Sequence, residues 1–137
     1  MALSGSNEPN DAEVRQVCAR MDEYLARLRQ AGEPQQAVVG HAMNMASALL
    51  IQEFASVAAF REAARGEQHR FLERLDGMVR RLEGTHLGMS WGFRIFWMYA
   101  RLLMESDPTI ASGYWPEIAR LGKLGAALGE TAQEPGA

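Results

Sequence analysis

Several residue types that carry specialised chemistry are scarce in this sequence. Cys18 is its only cysteine, which excludes an intramolecular disulfide, and its place in an apolar helical pattern predicts a packing residue rather than a reactive thiol. Lys123 is the only lysine among 14 basic residues, and we interpret this bias towards arginine as the codon usage of a GC-rich bacterium rather than as bidentate recognition of carboxylate or phosphate groups. The three histidines have no neighbouring cysteine, serine or aspartate in a spacing typical of zinc or nucleophilic sites. We therefore expect neither a disulfide scaffold nor a zinc fold.

Positive charge and uninterrupted hydrophobic runs are also lacking. The net charge of -3 and the pI of about 5.6 exclude a general nucleic-acid binder, because such proteins need a basic surface. The first residues lack the basic and apolar regions of a signal or transit peptide, so we expect a cytoplasmic protein. The most apolar stretch, 87–104, contains Arg94 and Arg101. Each would cost about 2.5–3.5 kcal/mol at mid-membrane depth, so we expect no membrane span.

Helical periodicity is what the sequence does have. Of its 137 residues 47% are hydrophobic, and they recur at steps of three and four without the alternation of strands. This pattern predicts an all-α fold, a single-domain bundle of four to five helices over residues 10–129. Residues 1–9 and 130–137 are expected to be flexible tails. Asn10 and Glu13 form a capping-box pattern that predicts the start of the first helix.

Glycine and proline positions predict the other helix boundaries. The predicted helices run from about Gln35 to Arg65, from Glu67 to Glu83, from a cap at Ser90 to Asp107-Pro108, and from Pro116 to Leu128. The second of the five helices and the fourth, which is rich in aromatic residues, are expected at the centre of the bundle. In the last helix, Gly122 and Gly125 with Ala126 and Gly129 predict a close crossing with another helix.

The aromatic helix, 91–104, is the most unusual segment. Its only charges, Arg94 and Arg101, are seven residues apart and so lie on one side, leaving the rest of the circumference apolar. Such a helix must be covered by other helices, a second copy or a partner. Both guanidinium groups can lie against Trp97, and Glu105 can pair with Arg101. We predict that Arg94, Trp97, Met98 and Arg101 contact a partner protein.

A second candidate site centres on Glu53, which the helical period places inside an apolar stripe between Leu50 and Val57. A carboxylate there needs a partner or a raised pKa. The favoured interpretation is an ion pair at a helix crossing, with Arg94 or Arg101 as the partner. In the alternative, Glu53 is a general acid or ligand-orienting group in a pocket between helices near Arg94 and Trp97.

Metal and cofactor sites are not predicted. Glu83 and His86 have the Glu-x-x-His spacing of di-metal bundles, but the motif occurs once, where a helix is expected to end. No metal ligand, cofactor or catalytic residue is therefore assigned.

The function that these features favour is protein-protein contact. We expect a non-enzymatic helical protein: an accessory subunit, adaptor, secretion-type chaperone or regulator. We also expect a homodimer or a subunit of a larger complex, because two helices with wide apolar arcs exceed what a small bundle can enclose. The alternative is a small-molecule-binding protein or enzyme that uses the pocket near Glu53, Arg94 and Trp97.

Overall fold

The computed structural model describes the backbone of residues 2–105 and 108–133, and the side chains of 12–104 and 109–127. These residues form helices and no strands. The helices are α1 (Ala2–Gln30), α2 (Glu33–Phe54), α3 (Val57–Glu62), α4 (Arg65–Glu83), α5 (Leu87–Glu105) and α6 (Pro108–Gln133). The predicted all-α class is confirmed. The predicted number of helices was too low, because the described residues contain six.

The aromatic helix, α5, lies at the centre of the bundle, where it contacts α1, α2, α4 and α6. Its side chains supply a large part of the core, with Phe93, Ile95, Phe96, Met98, Tyr99, Ala100, Leu102 and Leu103 all buried. Burial of large side chains contributes about 1.5–3 kcal/mol each, so this helix is a main source of stability. Helices of the same chain cover α5, so its apolar circumference does not by itself require a partner.

Helices α2 and α6 cross with their backbones in contact. A Cβ atom added to Gly40 would lie 1.8 Å from the carbonyl oxygen of Leu121, and one added to Gly125 would lie 2.1 Å from the amide nitrogen of His41. Neither position has room for a side chain, so glycine is required at both. The close crossing predicted from the glycines of the last helix is confirmed at Gly125.

The single helix predicted from Gln35 to Arg65 is wrong, because α2 ends at Phe54. Ala55 has φ 79°, the only positive φ of a non-glycine residue in the described chain, and turns the backbone out of the helix. Ser56 then begins α3 as its N-cap, with Oγ accepting from the backbone N–H of Ala59 at 3.0 Å.

The break positions an aromatic cluster between α2, α3 and α4. Phe54, Phe60 and Phe71 meet edge to face, with ring centroids 5.0–5.7 Å apart. The buried amide of Gln68 donates to the carbonyl oxygens of Phe60 and Arg61 at 2.7 and 3.2 Å, and so satisfies the carboxyl end of α3. An uninterrupted helix could not bring Phe60 beside Phe54, since six residues differ by 120° around a helix.

Four other predicted boundaries are also wrong. Helix α1 begins at Ala2 rather than at a cap on Asn10, and α6 begins at Pro108 and contains Pro116 within it. Ser90 is inside α5, where its buried hydroxyl donates to the carbonyl oxygen of Val79 at 3.0 Å instead of capping the helix. At the other end, α6 continues to Gln133, beyond the predicted bundle limit at residue 129. Met1, residues 106–107, which include Asp107, and residues 134–137 lie outside the described chain.

Candidate functional site

A groove of about 720 Å³ lies between α1 and α5. Helix α1 contributes Glu13, Gln16, Val17, Ala19 and Arg20 to its lining, and α5 contributes Trp97 and Arg101. The α1 residues recur at helical spacing on one face, next to the buried Val14 and Met21 that hold the helix on the bundle. The groove therefore forms where α1 packs against the side of α5 that carries Arg94 and Arg101.

Arg101 connects the two walls of this groove. Its Nη2 donates to the Glu13 carboxylate at 2.7 Å, and only 19% of the Arg101 side chain is exposed. The Glu13 side chain is 50% exposed, so solvent partly screens this ion pair and its contribution to stability is modest. Arg101 is nevertheless held by α1 and does not extend freely into solvent.

Arg94 reaches in the other direction, towards α4. Its guanidinium carbon lies 5.7 Å from the centroid of the Trp97 ring, while its Nη1 donates to the Asp76 carboxylate at 3.3 Å. The predicted stacking of Arg94 on Trp97 is thus confirmed. For Arg101 the structure shows the pair with Glu13, and the side chain of Glu105, its predicted partner, lies outside the described side chains.

Two smaller hollows extend the groove along α1 and α5. One, of about 150 Å³, is lined by Arg20, Tyr24, Arg94 and Met98; the next, of about 100 Å³, is lined by Tyr24, Val79, Glu83, Leu87, Ser90, Trp91 and Arg94. Arg20 is shared by the first two cavities, and Tyr24 and Arg94 by the last two. We call this continuous surface the α1–α5 groove. From Glu13 to Tyr24 it is about 16 Å long, at 1.5 Å per helical residue.

The charges of the groove are unevenly matched. Glu13 pairs with Arg101, and Asp76 pairs with both Arg94 and Arg80. Arg20, exposed on α1, has no carboxylate partner among the described residues. Among the described residues, the groove therefore presents two charges without an ion-pair partner: the guanidinium group of Arg20 between its two wider sections, and the carboxylate of Glu83 in its smallest hollow.

Met98 differs from the other residues predicted to contact a partner. Only 1% of it is exposed, so it belongs to the core of the bundle and can offer almost no contact area. The sequence pattern placed it beside Trp97 but could not show that a neighbouring helix covers it. Met98 thus lines the base of one hollow, while Arg94, Trp97 and Arg101 offer accessible surface at the groove.

Glu53 lies elsewhere and is exposed, in contrast to the predicted burial. It forms an ion pair with Arg74 of α4, so the predicted type of interaction is present but the expected partners, Arg94 and Arg101, are not. The reason is the break at Ala55, which places Glu53 at the solvent-facing end of α2. Glu53 lines a separate hollow with Phe54, Glu67 and Arg70, so the predicted pocket joining it to Arg94 and Trp97 is not formed.

Sequence reasoning missed the contribution of α1 to this site. In the sequence Glu13 fits a capping box, and no motif marks Gln16 or Arg20. Their spacing of three and four residues, on the same side as Val17, could have indicated a polar edge beside the apolar face of α1. Nothing in the sequence could show that this edge faces Arg101.

Of the Glu-x-x-His pair, Glu83 lines the smallest hollow of the α1–α5 groove and His86 does not. Glu83 and His86 are both exposed, and the described side chains include no cluster of three His, Cys, Asp or Glu residues placed to hold a metal ion. Within the described residues, none of the helices combines the length and the apolarity needed to cross a membrane. Compared with known protein families, characterised proteins and solved structures, the chain shows no match.

Proposed function

We propose that this chain is a non-enzymatic interaction protein of the bacterial cytoplasm, an accessory subunit, adaptor, secretion-type chaperone or regulator. In this proposal the α1–α5 groove binds an amphipathic helix of a partner protein, and the chain also self-associates. The observation that carries the proposal is the half-buried Trp97 in the groove, between Arg94 and Arg101 and near Arg20.

The shape of the groove supports an elongated occupant. Its three hollows follow one another along α1 for about 16 Å, which is about three turns of a helix. An amphipathic helix presents apolar side chains at positions i, i+3, i+4 and i+7, and these can enter successive hollows of such a groove. A compact ligand would use only the widest hollow, at Trp97.

The residues of the groove support a partner with acidic side chains. Tryptophan, tyrosine and arginine dominate the binding energy of protein interfaces, and Trp97, Tyr24 and Arg20 all line this surface. Arg94 and Arg101 already have carboxylate partners within the chain, whereas Arg20 has none among the described residues. A carboxylate on the partner helix, placed to meet Arg20, would pair with this guanidinium group.

The proposal can be tested with a phage-displayed library of amphipathic helical peptides selected against the folded protein. We expect the selected peptides to carry an apolar stripe flanked by Asp or Glu. Arg20→Glu should weaken their binding at least about tenfold, the equivalent of about 1.4 kcal/mol. Arg15→Glu is the matched control, since Arg15 is exposed on α1 but does not line the groove.

Replacing the acidic residue of the peptide with lysine should restore binding to the Arg20→Glu protein. Equal loss of binding in the Arg15→Glu and Arg20→Glu proteins would contradict the proposal, because it would indicate general charge attraction rather than contact with the groove.

A second candidate is the binding of a small organic acid, which the 720 Å³ of the widest hollow favours. Small-molecule pockets have volumes of about 300–1,000 Å³. Screening aromatic carboxylates by thermal shift distinguishes the two candidates. A carboxylate that stabilises the native protein but not Trp97→Ala, combined with a failed peptide selection, would favour the small-molecule function.

A further inference from the structure

The outward face of α2 carries large apolar side chains that the bundle does not cover. Met45 is 40% exposed and Ile51 is 45% exposed. Ala48, also exposed, lies midway between them, three residues from each. At 100° per residue, Met45 and Ile51 flank Ala48 on either side of the helix, so the three residues form a shallow surface with a small residue at its centre.

This face is also free of charge. From Pro34 to Gln52 the sequence contains no Asp, Glu, Lys or Arg, although the chain as a whole is 23% charged. Glu33 and Glu53 mark the two ends of this stretch, and Glu53 is already paired with Arg74. A solvent-facing helix normally carries charged residues on its outer side.

The lack of charge on α2 favours a second copy of the chain as the occupant of this face. In an interface between identical chains related by a two-fold axis, each surface meets its own copy, so an unpaired charge near the axis would face a like charge. An uncharged face meets its copy without repulsion and without burying an unpaired ion. A charged partner helix, in contrast, would find no opposite charge here, whereas the α1–α5 groove offers Arg20.

We propose that two copies of this chain associate through the outward faces of their α2 helices, antiparallel, with the two-fold axis passing at Ala48. This inference rests on the self-association included in the proposed function and assigns it to a surface separate from the groove. The small side chain of Ala48 allows close approach at the axis. Met45 and Ile51 are each about 4.5 Å from Ala48 along the helix, on opposite sides of it. Because the two helices run in opposite directions, Met45 of one copy lies at the same level as Ile51 of the other.

Sedimentation equilibrium tests whether this face associates. The native chain should form a dimer at micromolar concentration, and Ala48→Glu should raise the dissociation constant at least about tenfold, because it places two carboxylates together at the axis. Ala26→Glu is the control, with the same change at an exposed position of α1, and should leave the dimer intact. Circular dichroism should show both variants to be folded.

A charge exchange tests the antiparallel register. Met45→Lys alone and Ile51→Glu alone should each weaken the dimer, because each would bury an unpaired charge. The double variant should dimerise again, since the ammonium introduced at position 45 of one copy would meet the carboxylate introduced at position 51 of the other. Weak association of the double variant together with both single variants would overturn the antiparallel arrangement.

A native chain that sediments as a monomer throughout the micromolar range would overturn the inference, as would a dimer that Ala48→Glu leaves unchanged. These outcomes leave the groove untouched, because peptide binding is measured separately on the Arg20→Glu and Arg15→Glu proteins. Loss of peptide binding with a normal dimer would instead contradict only the groove.

Discussion

Arg94 stacks on Trp97, with its guanidinium carbon 5.7 Å from the ring centroid, while donating to Asp76 of α4. Because the Asp76 carboxylate fixes the guanidinium group, the indole has a defined neighbour on one side. One turn beyond Trp97, Arg101 is held by Glu13 of α1. The two arginines of α5 thus bind α4 and α1, two of the four helices that α5 contacts, and Trp97 lies half-buried between the arginines. A preorganised aromatic side chain of this kind loses little conformational entropy on binding.

This arrangement predicts that Trp97→Ala separates binding from folding. We expect the variant to stay helical, with a loss of about 2 kcal/mol in stability because only part of the indole is buried, less than the 3–5 kcal/mol typical of a buried tryptophan. Binding of a selected helical peptide should weaken by about 2 kcal/mol or more, roughly 30-fold. Calorimetric titration and thermal melting measure the two effects on one sample.

Phe93→Ala is the comparison for this prediction. Phe93 lies on the same helix but is completely buried, so its truncation should cost about 3–5 kcal/mol and disrupt the fold. If Trp97→Ala melts as early as Phe93→Ala, the indole is a core residue and the groove is not a binding surface.

The centre of the fold could be predicted from the sequence because its pattern is strong. In α5 large apolar residues surround the helix except at Arg94 and Arg101, and a helix of that kind can only be stable inside a bundle. The stacking of Arg94 on Trp97 was likewise predictable, since it depends only on a spacing of three residues within one helix. Local spacing fixes both features.

The parts that could not be predicted depend on contacts between helices. Neither glycine nor proline marks the break after Phe54, and Ala55 leaves the helix although alanine is the best helix former. The aromatic cluster of Phe54, Phe60 and Phe71 accompanies this break, and it forms only in the folded chain. The exposure of Glu53 follows from the same break. The partner of Arg101 could not be found either, because Glu13 is distant in sequence.

The close crossing of α2 and α6 predicts opposite effects for two glycines of α6. Gly125→Ala should destabilise the fold by about 3 kcal/mol, because the added methyl group would overlap the backbone of Gly40 and His41 and force the helices apart. Gly113→Ala should stabilise it by about 0.5–1 kcal/mol, since no atom lies within 4 Å of the added group and alanine favours the helix. Urea denaturation of both variants measures the difference, and equal effects would show that the two helices do not touch.

The positive φ of Ala55 predicts a stabilising substitution. In a backbone conformation with positive φ, the conformational free energy of a non-glycine residue is about 1–2 kcal/mol less favourable, whereas that of glycine is almost unaffected. Ala55→Gly should therefore raise stability by about 0.5–1 kcal/mol, after allowing for the greater entropy of the unfolded chain. Ala26→Gly, inside α1, should lower it by about 1 kcal/mol. A loss of stability from both substitutions would indicate that α2 and α3 form one continuous helix.

Glu117 is one of the links between α6 and α1, beside the Tyr114 hydroxyl that donates to Asp22; its carboxylate accepts from Arg29 at 2.9 Å and from Arg120 at 2.7 Å. Arg120 also donates to Gln36, whose amide donates to the carbonyl oxygen of Ala31. Desolvation by burial acts to raise the pKa of Glu117, but the hydrogen bonds and charges of Arg120 and Arg29 outweigh it, so the pKa is lowered below its ordinary value of 4.5.

A lowered pKa of this carboxyl group makes the fold less stable in acid. The stabilisation is fully present above the unfolded pKa near 4.5 and is lost as the pH falls through the lower folded pKa. We expect Glu117→Gln to lower the free energy of unfolding by about 1 kcal/mol or less at neutral pH, because both arginine side chains are largely exposed. That difference should shrink as the pH falls below about 4.5. Glu73→Gln, the same change at an exposed position with no ion pair in the described chain, is the control and should leave the stability at neutral pH unchanged. Urea titrations of the three proteins between neutral pH and strong acid decide the matter, because a Glu117→Gln deficit independent of pH would show that the carboxylate charge does not stabilise the contact between α1 and α6.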